Sequence, residues 1–133
     1  MEITYQDQRK NPATKITADL DTLTVLAQKA GIPEGTEVRI RLRSGDGVRY
    51  GHTSRIAPDT YRIVIGIEYA KATLSEGAQY VVNNTLLHEM RHVAQGQESG
   101  WETLSSAYEG WSETEAREYG RTIKGQPEFN ALS

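Results

Sequence analysis

The segment that most constrains this chain is His88-Glu89-Met90-Arg91-His92, which spells H-E-x-x-H within a helix-like pattern. Residues four apart on a helix lie on one face with Cβ atoms about 5–6 Å apart, so the imidazoles of His88 and His92 can converge on one metal ion. Glu89 follows the first histidine directly, where its carboxylate can accept a proton from water without binding the metal. We therefore expect two metal ligands and one general base.

The residues around the motif predict a helix over residues 75–95. This stretch contains no Pro, and its only Gly is Gly77, in the first turn. Ser75 can cap the helix, and Gly96 offers a stop. The apolar positions recur at steps of three and four residues, as expected for a helix that is half buried against a core. These positions are Val82, Leu86 and Val93, with Ala78 and Met90 nearby.

A third protein ligand is needed, because two histidines leave a catalytic zinc ion short of its usual three. The chain has no Cys, and His52 is its only other histidine. A carboxylate on the helical pattern that opens at Trp111 is the better source. Ser112 and Glu115 form an S-x-x-E capping box there, which would occupy Glu115 and leave Glu113 freer to bind a metal. Glu113 is thus the preferred third ligand, and Glu115 is the alternative.

On these residues the chain resembles the gluzincin metallopeptidases, in which a Glu from a following helix completes H-E-x-x-H, often within E-x-x-A-[DN]. Glu113 and Ala116 match this pattern, whereas Arg117 stands where an acidic or amide residue often supports a ligand histidine. Residues 88–95 also look like the H-E-x-x-H-x-x-Q variant of several small metallopeptidases. The short chain is most similar to the minigluzincins, which are minimal single-domain proteins, over about residues 37–122.

The resemblance implies one zinc ion per chain, held by His88, His92 and Glu113. It also implies a metallopeptidase that acts on a peptide or protein substrate. In such an enzyme Glu89 assists the attack of water on the peptide bond. We expect Glu89→Gln to keep the metal and abolish hydrolysis.

Three further side chains are candidates for stabilising the transition state. Tyr108 and Tyr119 flank the Glu ligand and could donate a hydrogen bond to the developing oxyanion. His52 could help to polarise the scissile carbonyl. The alternative to an enzyme is a non-catalytic or structural zinc-binding module of a larger system, since zinc can also stabilise a small domain.

The composition favours one soluble domain over residues 1–133, because a chain of 133 residues can bury a single core. Residues 1–15 are expected to be loosely held, apart from a short strand at Ile3 and Tyr5, and residues 124–133 are expected to form a flexible tail. The net charge of −3, with both signs mixed, gives no electrostatic case for a nucleic-acid partner. No apolar stretch is long enough for a membrane span or a signal peptide. We expect a monomer, in the cytoplasm rather than secreted.

The predicted fold is α+β, with a small, mostly antiparallel sheet of three or four strands. An N-terminal helix, the motif helix and a C-terminal helix carrying the third ligand pack on this sheet. A 3.6-residue period predicts the first helix over residues 17–30, and strict alternation predicts a strand over residues 37–43. A turn at residues 44–47 leads to strands at 48–56 and 61–67. Either of these two strands could form a sheet edge that pairs with an extended peptide.

Overall fold

The computed structural model describes residues 1–10, 16, 18–44, 51–67, 77–102 and 110–123. The predicted α+β class is confirmed, with four strands and three helices in these ranges. None of these helices is long and apolar enough to cross a membrane. In chain order the elements are β1 (Glu2–Asp7), α1 (Leu20–Lys29), β2 (Glu37–Ser44), β3 (Gly51–Ala57), β4 (Thr60–Ile67), α2 (Gly77–Ser99) and α3 (Trp111–Ile123).

The sheet is mixed rather than mostly antiparallel. Its strand order is β1-β2-β4-β3; β1 and β4 both run parallel to β2, and only β3 runs antiparallel to its neighbour β4. Parallel strands need a long crossover, and α1 supplies it between β1 and β2. The tight turn at Pro58 and Asp59 joins β3 to β4 as a hairpin, in which Asp59 takes a positive φ of 58°. In this hairpin β4, not β3, is the strand that lies beside β2, and β3 forms an edge.

The N-terminal segment contributes a strand to the sheet. Six of its residues form β1, which pairs with β2 and includes the short strand predicted at Ile3 and Tyr5. The helix α1 begins later than predicted because Asp19 is its cap, with a carboxylate that accepts a hydrogen bond from the backbone N–H of Thr22 at 3.3 Å. It ends before Gly31, whose φ of 94° suits glycine.

The core lies between one face of the sheet and the helices α1 and α2. The alternation predicted for β2 is confirmed, because Val38, Ile40 and Leu42 are fully buried on this face. They are paired in register with Tyr61, Ile63 and Ile65 of β4, which are also buried. The α2 helix covers this layer through Leu86, Leu87, Met90, Val93 and Ala94, and α3 packs mainly against α2.

The α2 helix continues past its predicted stop at Gly96 to Ser99. It ends at Gly100, which has a φ of 87° and donates its backbone N–H to the carbonyl of Gly96 at 3.0 Å. Gly96 has a packing role instead. A Cβ atom there would lie 3.0 Å from the Tyr61 hydroxyl and 3.1 Å from the Trp101 ring, so a larger residue would require these side chains to shift slightly.

Candidate metal centre

The H-E-x-x-H motif lies in the middle of α2, on the flank that the core does not use. Leu87, Met90 and Val93 are fully buried against the sheet and fix the rotation of the helix. This rotation turns His88 and His92 toward α3, where both contact Glu113. The apolar positions that predicted the helix therefore also determine the direction in which its two histidines point.

Small residues bring α3 close to α2. Ser112 and Ala116 are completely buried on α3, and Gly120 continues the same buried face one turn later. The carbonyl oxygen of Ser112 accepts a hydrogen bond from the Gln95 side chain of α2 at 3.0 Å. This close approach places the next side chain, Glu113, directly over the two histidines.

The three predicted ligands come together. The Nε2 atoms of His88 and His92 are 3.2 Å apart, and the carboxylate of Glu113 lies 2.7 Å from Nε2 of His92 and 3.2 Å from Nε2 of His88. The ligand atoms of a tetrahedral zinc site, with metal–ligand bonds of 2.0–2.2 Å, are about 3.3–3.6 Å apart. All three separations are shorter than this range, the contact between Glu113 and His92 most of all, so a bound ion would move these side chains slightly apart. With that movement the three residues could hold a metal ion.

The side chain of Gln95 fixes the orientation of His92. Its amide nitrogen donates to the Ser112 carbonyl at 3.0 Å and to Glu115 Oε2 at 2.7 Å, which uses both of its protons. Its oxygen, 2.8 Å from Nδ1 of His92, must then accept the Nδ1 proton. The resulting tautomer leaves the lone pair of Nε2 free to face a metal ion, an arrangement typical of metal-binding histidines.

The alternative ligand, Glu115, belongs to this supporting network. Besides the bond from Gln95, its Oε1 accepts a hydrogen bond from Arg91 Nε at 2.6 Å. Burial raises the pKa of Glu115, but the bonds from Arg91 and Gln95 outweigh it, so the pKa lies below its ordinary value. The helix α3 begins at Trp111, one residue before Ser112, so Ser112 is not the cap that the sequence predicted. Both carboxylate oxygens of Glu115 accept hydrogen bonds from side chains of α2 instead.

The general-base candidate, Glu89, is buried between α2 and the edge strand β3. Its Oε1 and its backbone carbonyl each lie 3.2 Å from the Thr53 hydroxyl, which can donate its proton to either. The strand comes very close here, since a Cβ atom on Gly51 would lie 2.5 Å from Cγ2 of Thr85 and 3.3 Å from Cγ of Glu89. The missing side chain at Gly51 therefore makes the contact between β3 and Glu89 sterically feasible.

His88 has a more open environment than His92, and its surroundings favour the neutral imidazole. Burial and the neighbouring His92 lower the pKa of His88, and they outweigh the opposite effect of Glu113. A neutral imidazole is the form that binds metals. The electrostatics of the site thus suit the ligand role predicted for His88.

The structure does not bring the proposed transition-state stabilisers to the metal ligands. Thr53 faces α2, so alternation along β3 puts His52 on the opposite face of the sheet. The ring centre of Tyr119 lies 5.7 Å from the Cζ atom of Arg91, so Tyr119 packs against Arg91. Its hydroxyl is buried, which raises its pKa. Tyr108 lies outside the described residues.

Sequence reasoning missed two residues of the site. Arg91 is one of the variable positions of H-E-x-x-H, yet it ties Glu115 to the end of α1 through a 2.6 Å bond to the Ala30 carbonyl. Thr53 carries no signal, because it meets Glu89 only when β3 reaches the sheet edge. Gln95 was recognisable in the motif, and its i,i+3 spacing from His92 could have indicated its role.

Comparisons with protein-family models, with curated proteins and with solved structures find no match for this chain. The resemblance to gluzincins therefore depends on the motif residues and on the placement of Glu113.

Proposed function

We propose that this chain is a zinc-dependent peptidase of the gluzincin type. The observation that carries the proposal is the three-residue ligand group between α2 and α3, together with a buried carboxylate, Glu89, which follows His88 in the chain and contacts β3. Two imidazoles and one carboxylate are the ligands of known catalytic zinc sites, and hard ions such as Mg²⁺ or Ca²⁺ prefer oxygen ligands. Three protein ligands leave a coordination position for water or substrate.

The chemistry assigns one role to Glu89. When bound, a zinc ion would act as a Lewis acid that acidifies water and polarises the substrate carbonyl. Glu89 accepts the proton of the water molecule whose oxygen attacks the carbonyl carbon. It then delivers that proton to the amide nitrogen as the C–N bond breaks, which releases a carboxylic acid and an amine. Thr53 holds one oxygen of Glu89 through its hydroxyl.

The edge strand supports a peptide as the substrate. Of the two strands predicted as candidates, β4 is paired on both sides, whereas β3 pairs only with β4 among the described strands. An extended peptide can add to such an edge through main-chain hydrogen bonds. Because β3 carries Thr53, which touches Glu89, a peptide bound there would pass directly beside the general base.

The test combines metal analysis with a peptide library. Protein purified without a metal-affinity tag should contain one zinc ion per chain by elemental analysis. The wild type should cleave peptides of a proteome-derived library, detected by mass spectrometry. Glu89→Gln should retain zinc but lose activity by about 10²–10⁴-fold, as expected for removal of a general base. Glu118→Gln, which removes an exposed carboxylate from α3, is the matched control and should remain active.

Two outcomes would contradict the proposal. Full activity in Glu89→Gln would exclude Glu89 as the general base. Zinc binding without cleavage of any library peptide, in the wild type as in Glu89→Gln, would favour the alternative, a non-catalytic zinc-binding module.

A further inference from the structure

A cleft opens between α2 and α3 beside the metal ligands. It has a volume of about 160 Å³ and is lined by Asn84 and His88 from α2 and by Ala116, Arg117, Gly120 and Arg121 from α3. This is the volume of about five water molecules, enough for one side chain or chain terminus. Because His88 forms part of the wall, any group in the cleft lies next to the metal centre.

The wall of this cleft is positively charged. It presents two guanidinium groups, from Arg117 and Arg121, and no carboxylate. The two arginines are four residues apart on α3 and therefore share one face. Arg117 lies 3.7 Å from Oε2 of Glu113 and its side chain is 65% exposed. Neither arginine forms another ion pair with the described residues.

The single carboxylate that faces Arg117 is a metal ligand in the proposed enzyme. Glu113 would share its charge with the zinc ion and so would neutralise Arg117 less. The remaining lining groups, the Asn84 amide and the imidazole of His88, carry no negative charge. The cleft therefore lacks an internal anion to balance its two guanidinium groups.

We propose that this cleft binds a carboxylate of the peptide substrate and directs cleavage to the adjacent peptide bond. This inference depends on the proposed peptidase function and names its substrate class. Guanidinium groups match carboxylates in geometry as well as in charge. The carboxylate belongs either to an Asp or Glu side chain or to the C-terminus of the substrate. The cleft adjoins the metal centre, and one extended residue spans about 3.3–3.6 Å. We therefore expect the carboxylate within one or two residues of the scissile bond.

The first experiment is the cleavage profile of the zinc-loaded wild type on the peptide library. Enrichment of Asp and Glu at one fixed position would indicate a side-chain carboxylate. Cleavage at a fixed distance from the peptide end would indicate the C-terminal carboxylate. Matched synthetic peptides then compare Glu with Gln at that position, or a free C-terminus with an amidated one. We expect kcat/KM to be about tenfold higher for the charged member of the pair.

Variants connect this preference to the cleft. Arg121→Gln removes one positive charge about two helical turns away from Glu113 and should reduce the preference severalfold. Arg121→Glu should reverse the preference in favour of Lys over Glu. Arg39→Gln makes the same charge change on the other face of the sheet and is the control. It should leave the preference of the wild type unchanged.

A binding measurement separates the cleft from the metal, since a carboxylate could also bind zinc directly. Succinate is titrated into zinc-loaded Glu89→Gln, and the backbone amide of Gly120 reports occupancy of the cleft by NMR. We expect the signal to move with succinate but not with succinamide, and the response to weaken about tenfold when Arg121→Gln is added.

Each result bears on one proposal. A wild type that cleaves peptides in a Glu89-dependent manner, but without a carboxylate preference, overturns the cleft assignment alone. A preference that survives both Arg121 variants, or a Gly120 response that Arg121→Gln leaves unchanged, also overturns it. Absence of any cleavage contradicts the peptidase function, and the succinate titration then still decides whether the cleft binds carboxylates.

Discussion

The two ligand histidines lie one helical turn apart, but their surroundings differ. The His92 side chain is 5% exposed and is held by a chain of hydrogen bonds through Gln95 and Glu115 to Arg91. The His88 side chain is 22% exposed and forms part of a cleft wall. We call these regions the closed side and the open side of the site. In the proposed enzyme the closed side would fix the geometry of one metal ligand, and the open side would leave room for a substrate.

The largest expected effect concerns Glu113 and Glu115, two carboxylates of the same helix turn. Glu113 touches both histidines, whereas Glu115 acts only through Gln95. Glu113→Ala should lower zinc affinity by about 10³-fold or more, because it removes one of three ligands. Glu115→Ala should lower it only by about 10-fold, as expected for an outer partner. Competition with a chromophoric chelator measures both.

Equal losses of zinc affinity in the two variants would show that the closed side contributes as much as a ligand. A larger loss in Glu115→Ala would mean that Glu115, not Glu113, is the third ligand. Glu118→Ala, on the exposed face of α3, serves as the control in this series.

Arg91 tests how far the closed side also holds the fold. It donates to Glu115 and to the Ala30 carbonyl, and so joins α2, α3 and the end of α1. Arg91→Met keeps the length of the side chain but leaves the partly buried acceptors without a donor. We expect the free energy of unfolding of the metal-free protein to fall by about 2–3 kcal/mol, measured by urea denaturation.

Arg91→Lys keeps the charge but loses the fork of donors, so it should recover only part of this stability. Arg117→Met, the corresponding change on the open side, should cost at most about 0.5 kcal/mol, because Arg117 is exposed. Similar losses in Arg91→Met and Arg117→Met would contradict a structural difference between the two sides.

Gln95 tests the closed side through metal affinity. Gln95→Met has a similar volume but cannot accept the Nδ1 proton of His92, so that ring loses its fixed tautomer. Zinc affinity should fall by about 10–100-fold, the usual effect of losing such a partner. Asn84→Ala makes a comparable change next to His88 and should lower the affinity by about threefold at most. A loss as large in Asn84→Ala would mean that both histidines need equally strong support.

Most of the correct predictions of helices and strands came from local sequence patterns. The period of α2 and the alternation of β2 come from neighbouring residues, and both were correct because each element buries one face. The ends of helices were less predictable: Gly96 is the residue type of a helix stop, yet it lies inside the helix, where Tyr61 and Trp101 pack closely against it. A stop signal and a close contact use the same residue.

Pairing between distant segments could not be read from the sequence. The alternation that defines β3 and β4 does not say which of them lies beside β2. The parallel pair of β1 and β2 depends on the α1 crossover, and β4 runs parallel to β2 because β3 occupies the edge. The sequence also favoured His52 over Thr53, because the imidazole of a histidine is a common catalytic group and a threonine hydroxyl gives no such signal. The hydroxyl of Thr53 gains a role only from its position opposite Glu89.

Thr53 is the subject of the last and smallest prediction, because its hydroxyl holds the carboxylate of Glu89 from β3, away from both sides. Thr53→Val preserves the shape of the side chain and removes the hydrogen bond. We expect kcat to fall about fivefold, the effect of one neutral hydrogen bond on a reacting group, with KM and zinc content unchanged. Thr53→Ser restores the hydroxyl and should recover most of kcat. If Val and Ser variants are equally slow, the methyl group, not the hydroxyl, positions Glu89, and packing of β3 against α2 controls the general base.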